Sequence, residues 1–372
     1  MIIKNKLKKI IKYKNKLFNF PNYFRYTHLK YDLKPYNNLF IKDDKHNWVL
    51  KSISKEMKYI ITNLKINLID SKYNDFITNQ CEFNLSKFDA LLNFDKYDKN
   101  KKSFAYFHGL PSTHPLNKEC IKSLKKNHKY FSKVQITNDK IKNLLLETGI
   151  DKEKLHKILI SIDFDLFNKN YSKQFKNSFR IKNQIPLNAF VIGSFQKDGE
   201  KWNSGNKPKY SKGPDIFINA VKVIRQKIPE TFVLLSGPSR GYMINELEKA
   251  NIPYRYINLI DYSKIPELYS ILNIYIVSSR EEGGPRAILE SMSSGVPIIS
   301  SKVGQAEELI KNNYNGWLTE IGDIEDILDK TLKVYFGNIH ENFLINAKQT
   351  AINNSYKNQI ENWKLFFKDF IN

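Results

Sequence analysis

The sequence predicts an α/β protein with two doubly wound parallel sheets. The chain has 372 residues, which fits two domains of about 180 residues each. Apolar runs of strand length alternate with helical patterns in both halves, as is typical of parallel sheets. The clearest unit spans residues 274–299, where an apolar run, a glycine loop, a helical pattern and a second apolar run follow one another. This order predicts a βαβ unit, because parallel strands need a crossover between them.

The predicted organisation is an N-terminal Rossmann-like domain over residues 37–175, a second one over 186–352, and a final amphipathic helix over 353–372. A polar stretch around 166–187 is the predicted linker. In the first domain we expect strands at 37–41, 66–69, 90–94, 103–108, 134–137 and 157–162, with helices at 48–64, 116–126 and 140–148. In the second we expect strands at 189–194, 232–236, 256–259, 274–279 and 296–299, with helices at 215–227, 265–272 and 285–294.

Composition indicates a folded, cytoplasmic protein. Hydrophobic residues make up 41% of the chain and aromatic residues 13%, which is enough for large cores. No apolar run reaches the roughly 18 residues of a membrane span, and no signal peptide is expected. Cys81 and Cys120 are the two cysteines, which favours a reducing compartment without a disulfide framework.

The net charge of +22 does not predict a nucleic-acid partner. The cations are mostly lysines spread along the chain, in a composition typical of AT-rich coding sequences. No zinc-finger spacing, basic zipper or aromatic RNA-binding motif accompanies them. Part of the charge can still attract anionic lipids or phosphate-bearing substrates.

Residues 1–36 form a predicted basic amphipathic extension. Lysines lie between apolar residues that recur near a 3.6-residue period: Ile3, Leu7, Ile10, Ile11, Leu17 and Phe18. Such a helix can lie on an anionic membrane, where each lysine contributes roughly 1 kcal/mol. The same apolar stripe can instead pack on the body of the protein. Both interpretations stay open, so a peripheral location at the inner face of the membrane is one expectation.

The glycine loop of the βαβ unit carries the candidate chemistry. It reads Glu282-Gly283-Gly284-Pro285, and Glu290 follows inside the predicted helix. Two glycines allow a ligand to approach the backbone, and the start of a helix attracts anions. Gly295 suits the left-handed position at the end of the helix. Two carboxylates beside an anion site suit a ligand with both phosphates and hydroxyls, such as a nucleotide sugar.

This stretch resembles the E-x7-E signature of the retaining family 4 glycosyltransferases, which have the GT-B fold. Residues 291–300, with Gly304 and Asn315-Gly316 downstream, continue the family pattern. The resemblance implies a cleft between two Rossmann-like domains and a C-terminal helix that crosses back to the first. It also implies transfer of a hexosyl group from a nucleotide-diphosphate sugar to a glycan, lipid or other hydroxyl acceptor, without a cofactor or obligatory metal. The alternatives are a noncatalytic nucleotide-sugar or glycan-binding GT-B protein, and an ordinary βαβ unit with two solvated glutamates.

The resemblance implies roles for individual residues of the second domain. Glu290 would bind the ribose hydroxyls and Glu282 the hydroxyls of the donor sugar. The amides of Gly283, Gly284 and Arg286 would meet the sugar and phosphates. The Arg286 side chain would either form a structural pair with a glutamate, Glu281 or Glu282, or face the phosphate. Further donor contacts would come from Gly193, Ser194 and Gly237.

The family also supplies an arginine and a lysine to the pyrophosphate. Lys212 matches the lysine. No arginine stands near Gly193, so Lys197 or Gln196 would have to serve, and residues 198–211 stretch the spacing between the two positions. A solvated surface lysine is the alternative for Lys197.

The acceptor side is less well defined. His108 follows a predicted strand, where α/β sheets bind ligands, and the family often has a histidine near the reacting centre. His114 is a weaker candidate, and a capping or core histidine is the alternative for both. His46, Asn47 and Trp48 occupy a loop that is glycine-rich in the family but not here. The Asp163-Phe164-Asp165 string predicts a turn rather than a metal site.

Overall fold

The computed structural model describes residues 34–42, 48–69, 78–200, 204–259 and 261–372. Almost all of the predicted 1–36 extension, together with His46 and Asn47, lies outside these ranges. Within them, no helix combines the length and apolar character needed to cross a bilayer.

The first half of the described chain forms a six-stranded sheet in which every neighbouring pair is parallel. The strand order is β2-β1-β3-β4-β5-β6. Its strands are β1 (Asn38–Lys42), β2 (Asn67–Ile69), β3 (Cys81–Asn84), β4 (Lys101–Ala105), β5 (Phe131–Ile136) and β6 (Leu155–Lys157). The helices of this half are α1 (Trp48–Asn63), α2 (Lys87–Leu92), α3 (Pro115–Asn127) and α4 (Asp139–Leu146).

The second half forms another six-stranded parallel sheet, in the order β12-β11-β10-β7-β8-β9. The strands are β7 (Phe190–Ser194), β8 (Thr231–Leu235), β9 (Tyr254–Tyr256), β10 (Ile274–Val277), β11 (Ile298–Ser301) and β12 (Trp317–Thr319). The helices from residue 164 onward are α5 (Phe164–Phe167), α6 (Lys173–Lys182), α7 (Pro214–Lys227), α8 (Gly241–Lys249), α9 (Ile265–Tyr269), α10 (Ala287–Ser293), α11 (Ala306–Leu309), α12 (Ile324–Tyr335), α13 (Phe343–Asn353) and α14 (Ile360–Phe367). The strand order reverses between β7 and β10, where open α/β sheets bind their ligands.

The local sequence explains the βαβ unit. All four residues of β10 and of β11 are buried, as expected for strands covered on both faces. Gly295 takes a φ of +69° at the end of α10, so the predicted left-handed position is confirmed. The helix itself begins at Ala287, two residues after Pro285.

The first half differs from the predicted elements in three places. Residues 90–94 are not a strand, because Ser86 caps α2 by accepting a hydrogen bond from the Asp89 amide at 3.4 Å. The missed strand is β3, whose sequence Cys-Glu-Phe-Asn lacks a continuous apolar run. Its Glu82 is buried beside Lys42, with a nitrogen–oxygen distance of 2.6 Å. Strand β6 ends at Lys157, so residues 158–162 continue beyond the sheet.

The predicted linker is partly helical. It contains α6, which Ser172 caps by accepting a hydrogen bond from the Phe175 amide at 3.1 Å. Arg180 in this helix donates hydrogen bonds to the carbonyls of Leu187 and Ala189. These bonds fasten α6 to the start of the second sheet, although the composition of the segment is polar. The domain bounds themselves stay predictions.

The C-terminal helix packs on the first sheet. The rings of Trp363 and Phe366 lie 5.6 and 5.4 Å from that of Phe83 in β3. Before that helix, the Tyr356 amide donates to the Ile162 carbonyl at 3.0 Å. The chain therefore returns to the first half after completing the second, as the resemblance implied.

Candidate active site

Glu282 lies in the loop that follows β10, at the point where the strand order reverses. Its carboxylate accepts hydrogen bonds from the Lys212 ammonium and from the Ser279 hydroxyl, the latter at 3.1 Å. Burial alone raises the pKa of Glu282, but the charge and hydrogen bond of Lys212 outweigh burial and hold this pKa below its usual value. Glu282 is therefore an ionised carboxylate with a fixed orientation at neutral pH.

Lys212 is positioned by a tight turn and by an ion pair. Gly213 has a φ of +60°, and a side chain on it would lie 1.9 Å from the Ser278 carbonyl, so only glycine fits there. Arg280 forms a two-pronged pair with Asp215 at 2.7 and 2.6 Å. This pair ties the loop after β10 to the first turn of α7, and Lys212 lies between them. The sequence pattern gave no reason to pair Arg280 with Asp215.

Two further lysines, Lys197 and Lys209, lie close enough to Lys212 to feel its charge. Lys197 donates hydrogen bonds to the carbonyls of Gly199 at 2.6 Å and Glu200 at 3.3 Å. Its pKa is lowered by burial and by the charge of Lys212. The pKa of Lys209, which the sequence analysis did not single out, is lowered by the same two causes. The positive charges of Lys197, Lys209 and Lys212 repel one another. An anion bound among them would relieve this repulsion and would be stabilised by all three.

An arginine does stand beside the first segment of the second sheet, but it comes from another part of the chain. Arg240 donates hydrogen bonds to the Gln196 carbonyl and, at 3.1 Å, to the Ser194 hydroxyl. Its guanidinium lies 3.3 Å from the Asp198 carboxylate, and both side chains are fully buried. Arg240 therefore shapes the loop that carries Lys197, and this structure offers none of its surface to a ligand.

The glycines and Ser194 predicted to bind donor have packing roles in this structure. A side chain on Gly193 would lie 2.4 Å from Leu272, and Ser194 is 1% exposed. Gly237 has a φ of +91° and accepts a hydrogen bond from the Tyr256 hydroxyl at 2.9 Å. Their contact with a donor stays a prediction.

Gly283 and Gly284 bring the two halves of the chain together. A side chain on Gly283 would lie 2.4 Å from Cβ of Phe107, and one on Gly284 would lie 2.7 Å from Ile160. Beside them, the Gln305 amide group accepts a hydrogen bond from the Ile160 backbone at 2.9 Å. Phe107 and Ile160 of the first half therefore occupy the space in which a ligand was expected to approach the two glycines.

Glu290 lies within α10 with both carboxylate oxygens occupied. Oε1 accepts a hydrogen bond from the Tyr262 hydroxyl, and Oε2 accepts one from the Tyr269 hydroxyl at 3.0 Å. Burial raises the pKa of Glu290, and Arg286 offsets part of that rise. A carboxylate oxygen can accept two hydrogen bonds, but Glu290 is only 7% exposed, so a ribose hydroxyl would compete with Tyr262 for Oε1.

The partner of Arg286 is Glu290, at 4.0 Å, rather than Glu281 or Glu282. Its guanidinium also donates to the Tyr356 hydroxyl at 3.2 Å. The side chain is 9% exposed. The charge of Arg286 also acts on the buried Glu56 of α1, so in this structure its side chain has a structural role that includes the first half.

His108 lies in the loop after β4, on the opposite side of the cleft from Glu282. The residue is exposed, yet the charges of Lys87 and Lys212 act on its ring. The pKa of His108 is lowered by the surrounding protein and these lysines, and Glu282 opposes the shift only in part. His108 is therefore a neutral imidazole at neutral pH, a weak base that can still accept a hydrogen bond through its unprotonated nitrogen.

The loop that carries His108 is held in place by Lys87 and Tyr106. Lys87 donates a hydrogen bond to the His108 carbonyl, and its ammonium lies 4.4 Å from the centre of the Tyr106 ring. Burial lowers the pKa of Lys87 to about 8. The Tyr106 hydroxyl donates to the Gly109 carbonyl at 2.9 Å. Lys87 was not a predicted site residue, because the sequence indicated a strand at 90–94 rather than a helix that begins at Lys87.

The remaining candidates have local roles. His114 caps α3, since its Nδ1 accepts a hydrogen bond from the Leu116 amide at 3.1 Å. Asp163 accepts one from the Leu166 amide at 3.4 Å at the start of α5, as expected for a turn. Trp48 begins α1. Among the described residues, no three His, Cys, Asp or Glu side chains are grouped to hold a metal ion.

The carboxyl ends of the two sheets face each other, with the glycine loop in contact with the segments after β4 and β6. Two doubly wound parallel sheets in this arrangement, with a C-terminal helix returning to the first, define the GT-B fold. The site at the reversal of the second sheet, between two facing α/β units, is the position where such folds bind ligands.

Comparison with known proteins agrees with this fold. Residues 207–351 match the family model described as glycosyl transferases group 1. The structure superimposes on Anabaena HepE in complex with UDP-glucose with a TM-score of 0.68 and 16% sequence identity, over 88% of this chain and 97% of HepE.

Two curated relatives illustrate the extent of sequence similarity. An uncharacterized glycosyltransferase of Methanocaldococcus jannaschii is 27% identical over 83% of this chain and 78% of its own length. The UDP-Gal:alpha-D-GlcNAc-diphosphoundecaprenol alpha-1,3-galactosyltransferase of Escherichia coli is 29% identical over 40% of this chain. Its alignment and those of three other curated relatives span only 33–38% of the length of those proteins.

Proposed function

We propose that this protein is a retaining glycosyltransferase that moves a hexosyl group from a nucleotide-diphosphate sugar to a hydroxyl group of a glycan or lipid-linked acceptor. The observation that carries the proposal is the pairing of Glu282 with Lys212 at the strand-order reversal of a GT-B fold. The match of residues 207–351 to glycosyl transferases group 1 supports it, because that segment contains both residues.

The donor would bind to the second half. Lys197, Lys209 and Lys212 would neutralise the diphosphate, whose negative charge grows as the bond to the sugar breaks. Stabilising such developing charge is usually the largest catalytic contribution of a site. A UDP-sugar is the donor to test first, because the structural neighbour HepE is seen with UDP-glucose and the E. coli relative is named for UDP-Gal.

Glu282 would hold hydroxyls of the donor sugar, since an ionised carboxylate accepts hydrogen bonds from two neighbouring hydroxyls. His108 would face the acceptor hydroxyl as a neutral imidazole. The departing phosphate would take the proton of that hydroxyl on the same face of the sugar, which retains the anomeric configuration. The lysines supply the positive charge in this scheme, so it needs neither a metal nor a cofactor.

Closure of the two halves would keep water from the reacting carbon. The E. coli relative is named for a diphosphoundecaprenol acceptor, so a lipid-linked glycan at the inner face of the membrane is the acceptor class we propose. The basic residues 1–36 would then favour a cytoplasmic protein held at that surface.

The test begins with thermal shifts in UDP-, GDP-, ADP- and dTDP-sugars, with Glu282→Gln as the matched variant. A donor at 100 times its dissociation constant adds roughly 2.7 kcal/mol to stability. We expect one nucleotide class to raise the melting temperature, and that donor to be consumed when lipid-linked acceptors are supplied. NMR of the product would report the anomeric configuration.

The outcomes separate the possible functions. Donor binding followed by transfer with retention supports the proposal, and transfer with inversion removes the retaining mechanism. Donor binding without hydrolysis or transfer, over a panel of glycan and lipid acceptors, would instead identify a noncatalytic nucleotide-sugar-binding protein.

A further inference from the structure

Thr137 joins the two halves of the protein through a single buried hydrogen bond. It directly follows β5, and its hydroxyl donates to the carbonyl of Gly283 at 2.7 Å. Thr137 is fully buried. The donor and the acceptor of this bond belong to different halves, so the bond exists only when the halves are in contact.

The orientation of the Thr137 hydroxyl is set by its neighbour. The Asn138 amide donates a hydrogen bond to the Thr137 oxygen at 3.2 Å, while its own oxygen caps α4 by accepting from the Ile141 amide at 3.0 Å. A hydroxyl has one proton to donate. The Gly283 carbonyl, at 2.7 Å, is closer to the Thr137 oxygen than the Phe107 carbonyl, at 3.4 Å, so it is the better acceptor of that proton.

The residues on either side of this bond are adjacent to the proposed site. Gly283 follows Glu282, and Phe107, which precedes His108, packs against Gly283. The Phe107 carbonyl lies 3.4 Å from the Thr137 oxygen and also 3.4 Å from the Asn138 amide nitrogen. One buried hydroxyl therefore contacts both segments that hold the facing side chains.

We propose that Thr137 is a positioning residue, whose hydrogen bond to Gly283 sets Glu282 opposite His108 when the halves close. The inference rests on the proposed transfer reaction. Thr137 itself would not contact the substrate. A small displacement of reacting groups lowers turnover strongly, whereas donor binding to the second half alone does not require this bond.

The primary variant is Thr137→Val, which keeps the shape of the side chain and removes the hydroxyl. We expect kcat for transfer to fall roughly tenfold, with the donor-induced thermal shift unchanged and a larger share of donor lost to hydrolysis. Thr137→Ser keeps the hydroxyl and should restore kcat to near the wild-type value.

A second variant tests the same bond without altering Thr137. Asn138→Asp keeps the oxygen that caps α4 but replaces the amide donor by an acceptor, which competes for the Thr137 proton. It should lower kcat in the same way. The matched control is Glu308→Gln, which removes the charge of another contact between the halves, with Lys157 at 2.9 Å. It leaves the pair of Lys157 with Asp139, beside Asn138, in place and should leave kcat unchanged.

Wild-type kcat in both Thr137→Val and Asn138→Asp would overturn the inference, and so would an equal loss in Thr137→Ser. A loss of donor affinity parallel to that of kcat would show a merely structural role. If the wild-type protein neither binds nor transfers any donor, the proposed function fails first, and that result is distinct from transfer that is insensitive to Thr137.

Discussion

Lys212 and Glu282, which are 70 residues apart in the sequence, form an ion pair at the strand-order reversal of the second sheet. Their side chains are 23% and 14% exposed, so the pair is partly open to a ligand. A diphosphate at this position would compete with Glu282 for the lysine. Glu282 would then be released to accept hydrogen bonds from the sugar. In the proposed function, the pair would keep both side chains in position before the donor binds.

The first prediction concerns Lys212. Replacing it by alanine should reduce turnover by about 100-fold or more, as for the loss of one charge-stabilising donor. It should also raise the pKa of Glu282, because the charge of Lys212 keeps that pKa low. The acid limb of the pH profile of kcat/KM should therefore move to higher pH.

Steady-state kinetics from acidic to alkaline pH would check this. Lys207→Ala, in the same insert, is the control for general loss of positive charge. Near-normal turnover of Lys212→Ala would remove the lysine from the phosphate site.

The second prediction concerns the buried pair of Asp198 and Arg240. Arg240→Met should destabilise the protein by about 3–5 kcal/mol, because a buried carboxylate loses its compensating charge. Burial already raises the pKa of Asp198 above its usual value, although Arg240 offsets part of the shift. A carboxyl group with a raised pKa in the folded state contributes most below its unfolded pKa, about 3.9. Its contribution is then lost as the pH rises towards the folded value.

Stability of Arg240→Met should therefore fall more steeply with rising pH than that of the wild type. Urea unfolding at several pH values measures this slope. The double variant Asp198→Asn with Arg240→Met removes the carboxylate and should recover most of the loss. If the double variant is no more stable than Arg240→Met, the charge of Asp198 is not the cause.

The sequence predicted the second sheet better than the first for a physical reason. Strands β7, β8 and β10 are apolar runs, since both faces of each are buried in an apolar core. In β3, by contrast, the buried residues include the polar Glu82 and Asn84. The Asn84 amide donates a hydrogen bond to the Glu82 carboxylate at 2.7 Å, and Lys42 forms an ion pair with that carboxylate. Such compensation depends on partners distant in sequence, and periodicity does not reveal it.

The same limit applies to the site. The pairing of Lys212 with Glu282 joins two positions that the family resemblance had selected. Arg240 was not expected near Ser194, because the turn after β8 supplies it from 46 residues away. The two glycines of the loop were predicted to allow close approach of a ligand, and that contact stays a prediction. However, sequence alone could not tell that Phe107 and Ile160 would approach them.

The third prediction concerns residues 1–36, most of which lie outside the described ranges. Deleting residues 1–18 should weaken binding to vesicles that contain anionic lipid, because several lysines are removed. Vesicle co-sedimentation at low and high salt measures the effect, with neutral vesicles as the control. Equal binding of both forms would leave packing on the protein body as the role of the apolar stripe.

The last prediction concerns Tyr262, whose hydroxyl occupies Oε1 of Glu290. If a ribose hydroxyl binds that oxygen in its buried position, it competes with Tyr262, so Tyr262→Phe should tighten donor binding. One hydrogen bond corresponds to about 1 kcal/mol, or roughly fivefold in affinity. The loss of this bond also raises the pKa of Glu290 further, since Tyr262 lowers it at present. The gain should therefore be larger at pH 8 than at pH 6, because more Glu290 is ionised there.

Calorimetric titration of donor at both pH values would measure the change. Tyr335→Phe is the matched control, since its hydroxyl donates to Glu230, at an exposed position outside the residues of the proposed site. Glu290→Gln should weaken binding in either background. Unchanged or weaker donor binding by Tyr262→Phe at pH 8 would mean that both oxygens of Glu290 serve the fold. Tyr269 would still hold Glu290 through Oε2, and the ribose would have to be bound by other groups.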